Sequence, residues 1–485
     1  MTQLALVFFE LIRLIFRLMI LVLCGHMLGG ASKARRGREA RKLEPDALLP
    51  FVTVQLPLFD EKFVASRVIK AACALDYPRD RFEVQVLDDS QDETTSLIEP
   101  LIERFQQEGV AISLCRRDEA KGFKAGALNE GLKEAHGEFV AIFDADCVPE
   151  PSFLRDLLGE FEDPKVGAVQ ARWAFMNRKA NLLTRLQGLL FDGVFALDQH
   201  SRCVENLPSQ FNGTNGIWRR QCLEEIGGWR GAVITEDLYA SFSAILKGWK
   251  IIHRRDVRVQ TEIPEGLASF RTQQKRWCAG SIQSARLLWA AILRAPLDLA
   301  AKRVMLMHLA RHWIHPCILV TCLFSPLTTF FDMPFLFDYG VPANMAVILV
   351  LLLSMFAYYA AALRESGEGL LELVFVPLLL PLTIGLSAAY TQSIISGLFA
   401  RELRFIRTPK KGVEGEGGLE DGQASYASRG DGFALFELGM AGLHLYATLA
   451  SMERGYVAYT CFFGMVALGF GAVALASLKP FFQRS

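Results

Sequence analysis

Phe139–Glu150 reads FVAIFDADCVPE, an apolar run that ends on two aspartates one residue apart. The run Phe139 to Phe143 has the length and composition of a buried strand, and the turn after it puts Asp144 and Asp146 at its carboxyl end. In an open α/β sheet, ligands sit beyond the carboxyl ends of the strands. Two hard oxygen donors at this place suit a hard divalent cation, which would neutralise a diphosphate. A capped turn with solvated carboxylates is the plain alternative.

Outward from this stretch the same pattern recurs. Strand candidates at Val52–Leu56, Val84–Leu87, Ile112–Leu114 and Val166–Trp173 alternate with helical stretches from Pro50 to about Trp249. That alternation predicts a mostly parallel sheet covered by helices. VLDDSQDE repeats the strand-then-carboxylate arrangement: Asp88 and Asp89 follow Val84–Leu87 and can accept hydrogen bonds from a nucleobase or ribose, or simply close an Asx turn. In GFKAGALNEGL (Gly122–Leu132) the glycines allow close backbone approach and Lys124 offers a compact cation for phosphate, with helix-start chemistry as the alternative.

FNGTNGIWRR (Phe211–Arg220) reads as a glycine-punctuated turn able to floor a sugar site. ITEDLYAS (Ile234–Ser241) supplies Glu236 and Asp237 ahead of a helical stretch, where a carboxylate can act as general base toward a hydroxyl or cap the helix. In FRTQQKRWCAG (Phe270–Gly280), Gln273, Arg276 and Trp277 fall at i, i+3 and i+4 and share one helix face. Trp can stack on a pyranose, Arg can hold a departing diphosphate and Gln a hydroxyl. An aromatic and cationic belt at a membrane interface gives a similar pattern.

The rest of the chain is apolar. Hydrophobic residues make up 51% of the 485, above the roughly 45 to 50% of soluble proteins. Lys plus Arg and Asp plus Glu both total 52, so no global charge draws the chain to nucleic acid. Ten cysteines without metal-ligand spacing read as buried thiols. The first run, about Leu4 to Leu28, reads as a retained anchor interrupted by Arg13 and Arg17, and the basic cluster SKARRGREARK (Ser32–Lys42) places the adjoining soluble domain in the cytoplasm.

Five long apolar runs come after Arg303: about Val304–Leu327, Met345–Leu363, Leu370–Phe399, Phe433–Met452 and Tyr456–Leu478. Each approaches or exceeds the ~20 residues that cross a bilayer. FIRTPKKG (Phe405–Gly412) is basic and so cytoplasmic, which requires an even number of crossings between it and the soluble domain. Leu370–Phe399 contains Pro377 and Pro381, so we expect it to be a re-entrant or interfacial piece rather than one straight crossing. Gly412–Gly432 is glycine-rich and polar, a loop by composition.

The ordered set LDDS, DAD, TED and QQKRW, with apolar spans after it, resembles the processive family 2 glycosyltransferases, the group of cellulose, chitin and hyaluronan synthases. VTVQLPLFDE, LDYPRDRFEVQVLDDSQDET, GFKAGALNEGL, FNGTNGIWR and GGWRGAVITEDLYAS are similar to the cellulose-synthase-like A proteins, the glucomannan mannosyltransferases, and their bacterial relatives. The resemblance implies a GT-A fold, α/β and Rossmann-like, with an α-helical transmembrane region, and inverting transfer from a nucleoside-diphosphate hexose, GDP-mannose or UDP-glucose, with Mg2+ or Mn2+. By it, Asp88 and Asp89 contact the nucleoside, and Asp144 and Asp146 the diphosphate and metal. Asp237, with Glu236 beside it, is the base, and Gln273, Arg276 and Trp277 hold the diphosphate and acceptor.

Implied partners are the donor, a growing β-linked polysaccharide and the bilayer, with export partners unassigned and transfer of a single sugar to a lipid as the alternative. Asp60 and Tyr239 depart from the residues usual in relatives, Asn and Asp. The expected division is an anchor (1–30), a basic linker (31–49), the catalytic domain (50–262), interfacial helices (263–303), transmembrane and re-entrant helices (304–400), a cytoplasmic loop (401–432) and a transmembrane hairpin (433–479).

Overall fold

The computed structural model describes residues 18, 20–33, 49–327, 329, 340–400 and 433–482. Arg13, Arg17, positions 34–42 of the basic cluster and the segment Phe405 to Gly412 lie outside the described residues.

Eight strands form one mixed sheet in the order β3-β2-β1-β4-β7-β6-β8-β5. β1 (Val52–Leu58), β2 (Phe82–Asp88), β3 (Ile112–Arg116) and β4 (Phe139–Ile142) are parallel neighbours, connected through helices α1 (Ala65–Cys73), α2 (Thr94–Gln107) and α3 (Phe123–Glu134). Val52, Val54, Leu56, Val84 and Val86 are fully enclosed, because helices cover both faces. The polar residues of β1 are enclosed as well, and the register explains why they are tolerated. Thr53 lies opposite Glu83 and Gln55 opposite Gln85, where Thr53 donates to Glu83 at 2.7 Å and Gln55 to Gln85 at 3.0 Å.

The other half departs from the parallel expectation. β7 (Gly216–Arg219) runs antiparallel between β4 and β6 (Val166–Phe175), and β8 (Lys250–Thr261) joins β6 in parallel, with β5 (Val148–Pro149) antiparallel at its edge. β7 lies inside the stretch read as a turn. Only its first part turns, and Trp218 is wholly buried against Phe211 and Trp229. β8 carries HRRDVR, yet His253 and Arg254 are buried. Arg254 is held by Glu160 at 3.2 Å and Asp256 at 2.6 Å, so the strand keeps its charge by pairing it internally.

Past the sheet the chain is helical: α4 (Glu236–Leu246) precedes β8, and α5 (Leu267–Arg294), α6 (Gly340–Ser366), α7 (Leu379–Phe399), α8 (Ala434–Glu453) and α9 (Val457–Phe482) come after it. Three described stretches are long and apolar enough to cross a membrane: Leu349–Ser366, Leu370–Phe399 and Val457–Leu478. The run Val304–Leu327 is not one continuous helix, since a 3-10 turn at Arg311–Trp313 divides it. Leu370–Phe399 is broken too, with Leu370–Leu378 in 3-10 form around Pro377 before α7 begins.

Close helix packing rests on glycine. A methyl group on Gly385 of α7 would stand 2.2 Å from the Gly469 carbonyl of α9, and one on Gly397 would stand 2.6 Å from the Ala279 carbonyl of α5. The helices join the sheet domain at the end of α6, where Arg172 of β6 donates to the carbonyls of Glu365 and Ser366 and complements the helix dipole.

Candidate active site

A cavity of about 450 Å³ opens at the carboxyl ends of β1 and β4 and extends to α5. Asp89, Lys124, Asp144, Asp146, Glu236, Asp237, Gln273, Arg276 and Trp277 all line it. Residues from separate stretches of sequence therefore converge on one space.

Asp144 and Asp146 leave β4 where the sheet ends. The Asp144 amide donates to the Thr214 hydroxyl at 2.8 Å, which fixes the DAD turn to the loop Gly213–Asn215. Gly213 and Asn215 have φ of 83° and 61°, a conformation suited to these two residue types. Asp146 accepts through Oδ2 from the Thr261 hydroxyl at 2.6 Å and from the Glu262 amide at 3.1 Å. Arg67 braces this corner, reaching Glu262 at 2.7 Å. Two carboxylates so placed form an all-oxygen donor set, which fits Mg2+ or Mn2+ rather than a soft metal. Lys124, in the first turn of α3, donates to Asp144 and to the Gly213 carbonyl at 2.7 Å, so a cation already bridges DAD and the Gly213 loop. Burial alone would lower the Lys124 pKa, but Asp144, Glu236 and Asp237 outweigh it and the net shift is upward.

The two acidic residues of LDDS part company. Asp89 lines the cavity in a bidentate pair with Arg117. Asp88 does not line it. Its carboxylate is enclosed beneath the turn, accepting from the Ser90 amide at 3.0 Å and the Thr95 hydroxyl at 2.5 Å. Asp88 therefore shapes the turn that presents Asp89, and of the two only Asp89 lines the cavity. A period-2 reading of the strand end gives this result, because adjacent residues face opposite ways.

Glu236 and Asp237 open α4 in the same cavity, with Asp237 beside the Gly213 loop. No lysine or arginine among the described residues makes an ion-pair contact with either. Burial raises both carboxyl pKa values, Glu236 further through its neighbour Asp237, while Lys124 pulls both down. Arg276 is lowered by burial, against the pull of Glu236, Asp144 and Asp237. Gln273 Oε1 is buried and finds no hydrogen-bond partner among the described residues, and neither does the indole nitrogen of Trp173 on the same wall. Such orphaned polar atoms beside aromatic faces match hydroxyl-rich ligands.

The sequence reading missed that aromatic wall. Trp173 stands 4.9 Å from Phe195, and Phe191 stands 5.7 Å from Trp277, ring centre to ring centre. The signal was present in FDGVFALD, where Phe191 and Phe195 fall at i, i+4, although the segment Gly193–Asp198 is π-helical. Tyr239 turns away from the cavity, and its hydroxyl accepts from Arg230 at 2.7 Å.

Behind Trp277, Cys278 lies close to His312 and His315, a grouping with metal-ligand atoms. Arg311 Nε donates to His312 Nε2 at 3.2 Å, and His312 Nδ1 is 3.2 Å from Cys278 Sγ. With the Nε2 lone pair taken by Arg311, this network assigns the proton to Nδ1, facing the thiol. Arg311, His312 and Cys278 form a hydrogen-bonded chain supporting α5, while the His315 ring stacks on His312, centroids 5.9 Å apart. All ten cysteines are free thiols.

Residues 53–221 match the family described as Glycosyl transferase family 2, and residues 139–363 match Glycosyl transferase family group 2. Two Arabidopsis thaliana proteins, glucomannan 4-beta-mannosyltransferase 2 and probable glucomannan 4-beta-mannosyltransferase 10, are 38% and 36% identical over 58% and 62% of this chain. The matches cover 54% and 57% of those relatives, so the chain spans little more than half their length. Among solved structures, mannosyltransferase PcManGT from Pyrobaculum calidifontis, in complex with GDP-Man and Mn2+, superposes with a TM-score of 0.54 at 21% identity. That match covers 80% of this chain and 99% of that one, and it supports the fold. The chain carries a family 2 glycosyl transferase domain on a GT-A-type mixed sheet, continued by a helical region with candidate membrane spans.

Proposed function

We propose that the chain is an inverting hexosyltransferase that moves a hexose from a nucleoside diphosphate onto the hydroxyl of a growing β-linked polysaccharide. The convergence of Asp89, Lys124, Asp144, Asp146, Asp237 and the Gln273/Arg276/Trp277 face on one cavity carries this reading. GDP-mannose is the favoured donor. The Arabidopsis relatives are named for mannosyl transfer, and the fold neighbour holds GDP-Man.

In the reaction, Asp237 accepts the proton of the acceptor hydroxyl as its oxygen attacks the anomeric carbon. The bond to the diphosphate breaks on the opposite face and the electron pair leaves with the diphosphate. Lys124 and Arg276 lie where that charge accumulates. Glu236, protonated more readily than an ordinary carboxylate, limits the negative charge beside Asp237. A divalent cation held by Asp144 and Asp146 would supply further charge neutralisation to the diphosphate. Trp277 and the Phe191/Phe195 wall give the acceptor sugar an apolar face, and Gln273 a hydrogen-bond partner. The protein is read as integral to the membrane with this domain cytoplasmic and the chain as processive, the product passing between the helices.

A donor panel on the purified protein in detergent tests the reading, scored by release of nucleoside diphosphate with and without Mn2+. GDP-mannose with Mn2+ should release the most. No release from any donor would overturn the enzyme, and products carrying exclusively one added sugar on lipid would overturn the polysaccharide acceptor.

A further inference from the structure

α5 has two working faces. At about 100° per residue, Gln273, Arg276 and Trp277 lie roughly 140 to 240° around the helix from Arg271, whereas Lys275 and Cys278 lie within about 40° of it. The first group lines the cavity. The second faces the membrane-side helices: Lys275 donates to Gln392 of α7 at 3.2 Å, and Gly397 of α7 rests on Ala279 and Ile282.

The strongest tie on this rear face is Arg271 to Glu437 of α8, 3.0 Å apart with side chains 5% and 0% exposed. The Ser477 hydroxyl of α9 lies 3.1 Å from the second Glu437 oxygen, and 2.8 Å from the Val473 carbonyl. Glu437 therefore joins three helices: the one that carries the cavity face and both members of the hairpin. A buried ion pair is a poor source of net stability, since desolvation offsets most of the attraction, but it is directional. Apolar packing between α5 and the hairpin would tolerate a slip or rotation that a charged hydrogen bond does not.

We propose that Glu437 is a positioning residue for transfer: through Arg271 it sets the rotation of α5 and so the placement of Gln273, Arg276 and Trp277 over the acceptor. This rests on the functional reading above. It goes beyond it by making the C-terminal hairpin part of the acceptor site, with no direct contact to sugar or diphosphate. Displacement of about 1 Å at a reacting centre costs on the order of a hundredfold in rate, so a small slip of α5 would be visible.

The test uses the full chain in detergent with GDP-mannose, Mn2+ and an oligosaccharide acceptor. Glu437→Gln keeps shape and removes charge. The double variant Arg271→Met/Glu437→Met removes both charges and fills the space, so that it folds even where the single variant does not. Both variants should lower kcat for transfer by about ten- to a hundredfold. GDP binding, measured by titration, should stay within about threefold of the original protein, and release of free mannose relative to transfer should rise. A double variant that transfers at the original rate would overturn the proposal, as would equal loss of GDP binding and transfer. Failure of the functional reading is distinguishable, because then the unsubstituted protein would release no nucleoside diphosphate from any donor.

Discussion

The two ends of the cavity treat their carboxylates in opposite ways. At the sheet end, Asp89 is paired with Arg117, Asp144 with Lys124, and Asp146 is held by Thr261 and the Glu262 amide. At the helix end, Glu236 and Asp237 form no ion pair among the described residues, and their pKa values rise with burial. In the proposed function the first group holds charge in place and the second binds and releases a proton. A guanidinium stands against Asp89 and an ammonium against Asp144, whereas no such cation makes an ion pair with Glu236 or Asp237 among the described residues.

Asp237→Asn should break this contrast most severely. It removes the proton acceptor while keeping shape, and transfer should fall by about 10² to 10⁴-fold. GDP binding should stay close to that of the original protein, as measured by titration. Loss of GDP binding in parallel would move Asp237 from the base end to the binding end.

Lys124 reports on both ends at once, because it pairs with Asp144 and also lowers the carboxyl pKa values of Glu236 and Asp237. Lys124→Met should cost about a hundredfold in kcat/KM through loss of diphosphate charge stabilisation. The pH profile gives the sharper signature. A base must be ionised, so kcat/KM should rise with pH along an acid limb displaced above the ordinary carboxylate range of about 4. Removing the lysine cation should move that limb further up. A limb that stayed in place or moved down would show that the ammonium has no influence at the helix end.

The same contrast marks what the sequence could reveal. Strands β1, β2 and β4 were legible because helices cover both faces and an enclosed strand is mostly apolar, the exceptions Thr53 and Gln55 being paired with Glu83 and Gln85 on the neighbouring strand. β8 was not, since Arg254 is buried against Glu160 from another part of the fold and Asp256 two residues along, and pairing across the fold leaves no periodic trace. The DAD, TED and QQKRW residues were legible as chemistry at strand and helix ends, and they do converge. Arg117 was not found: nothing in RRDE distinguishes a surface arginine from one gripping Asp89. Asp88 shows the limit of a two-residue motif, where chemistry is the same and only pleat direction decides which carboxylate faces the ligand.

Trp277→Ala should have a smaller effect than Asp237→Asn. Loss of the stacking face raises the acceptor KM by roughly ten- to a hundredfold, while Trp277→Phe, which keeps packing against Phe191, should recover most of it. A fall in kcat with KM unchanged would place Trp277 at the diphosphate instead.

The least effect is expected at Asp60, where the residue usual in relatives is Asn. Asp60 has φ of 52°, and its Oδ1 accepts from the Gln91 amide at 2.8 Å and the Asp92 amide at 3.2 Å, tying the end of β1 to the loop after β2. It does not line the cavity. Asn tolerates a positive φ as Asp does and offers the same carbonyl oxygen. Asp60→Asn should therefore leave the GDP-mannose to UDP-glucose ratio unchanged and shift stability by less than about 1 kcal/mol, within the usual span of a hydrogen bond made less charged. A changed donor ratio in this variant would mean that the loop carrying Asp89 reads the base through its backbone, and the sheet end of the cavity would then be a selecting surface as well as a charge holder.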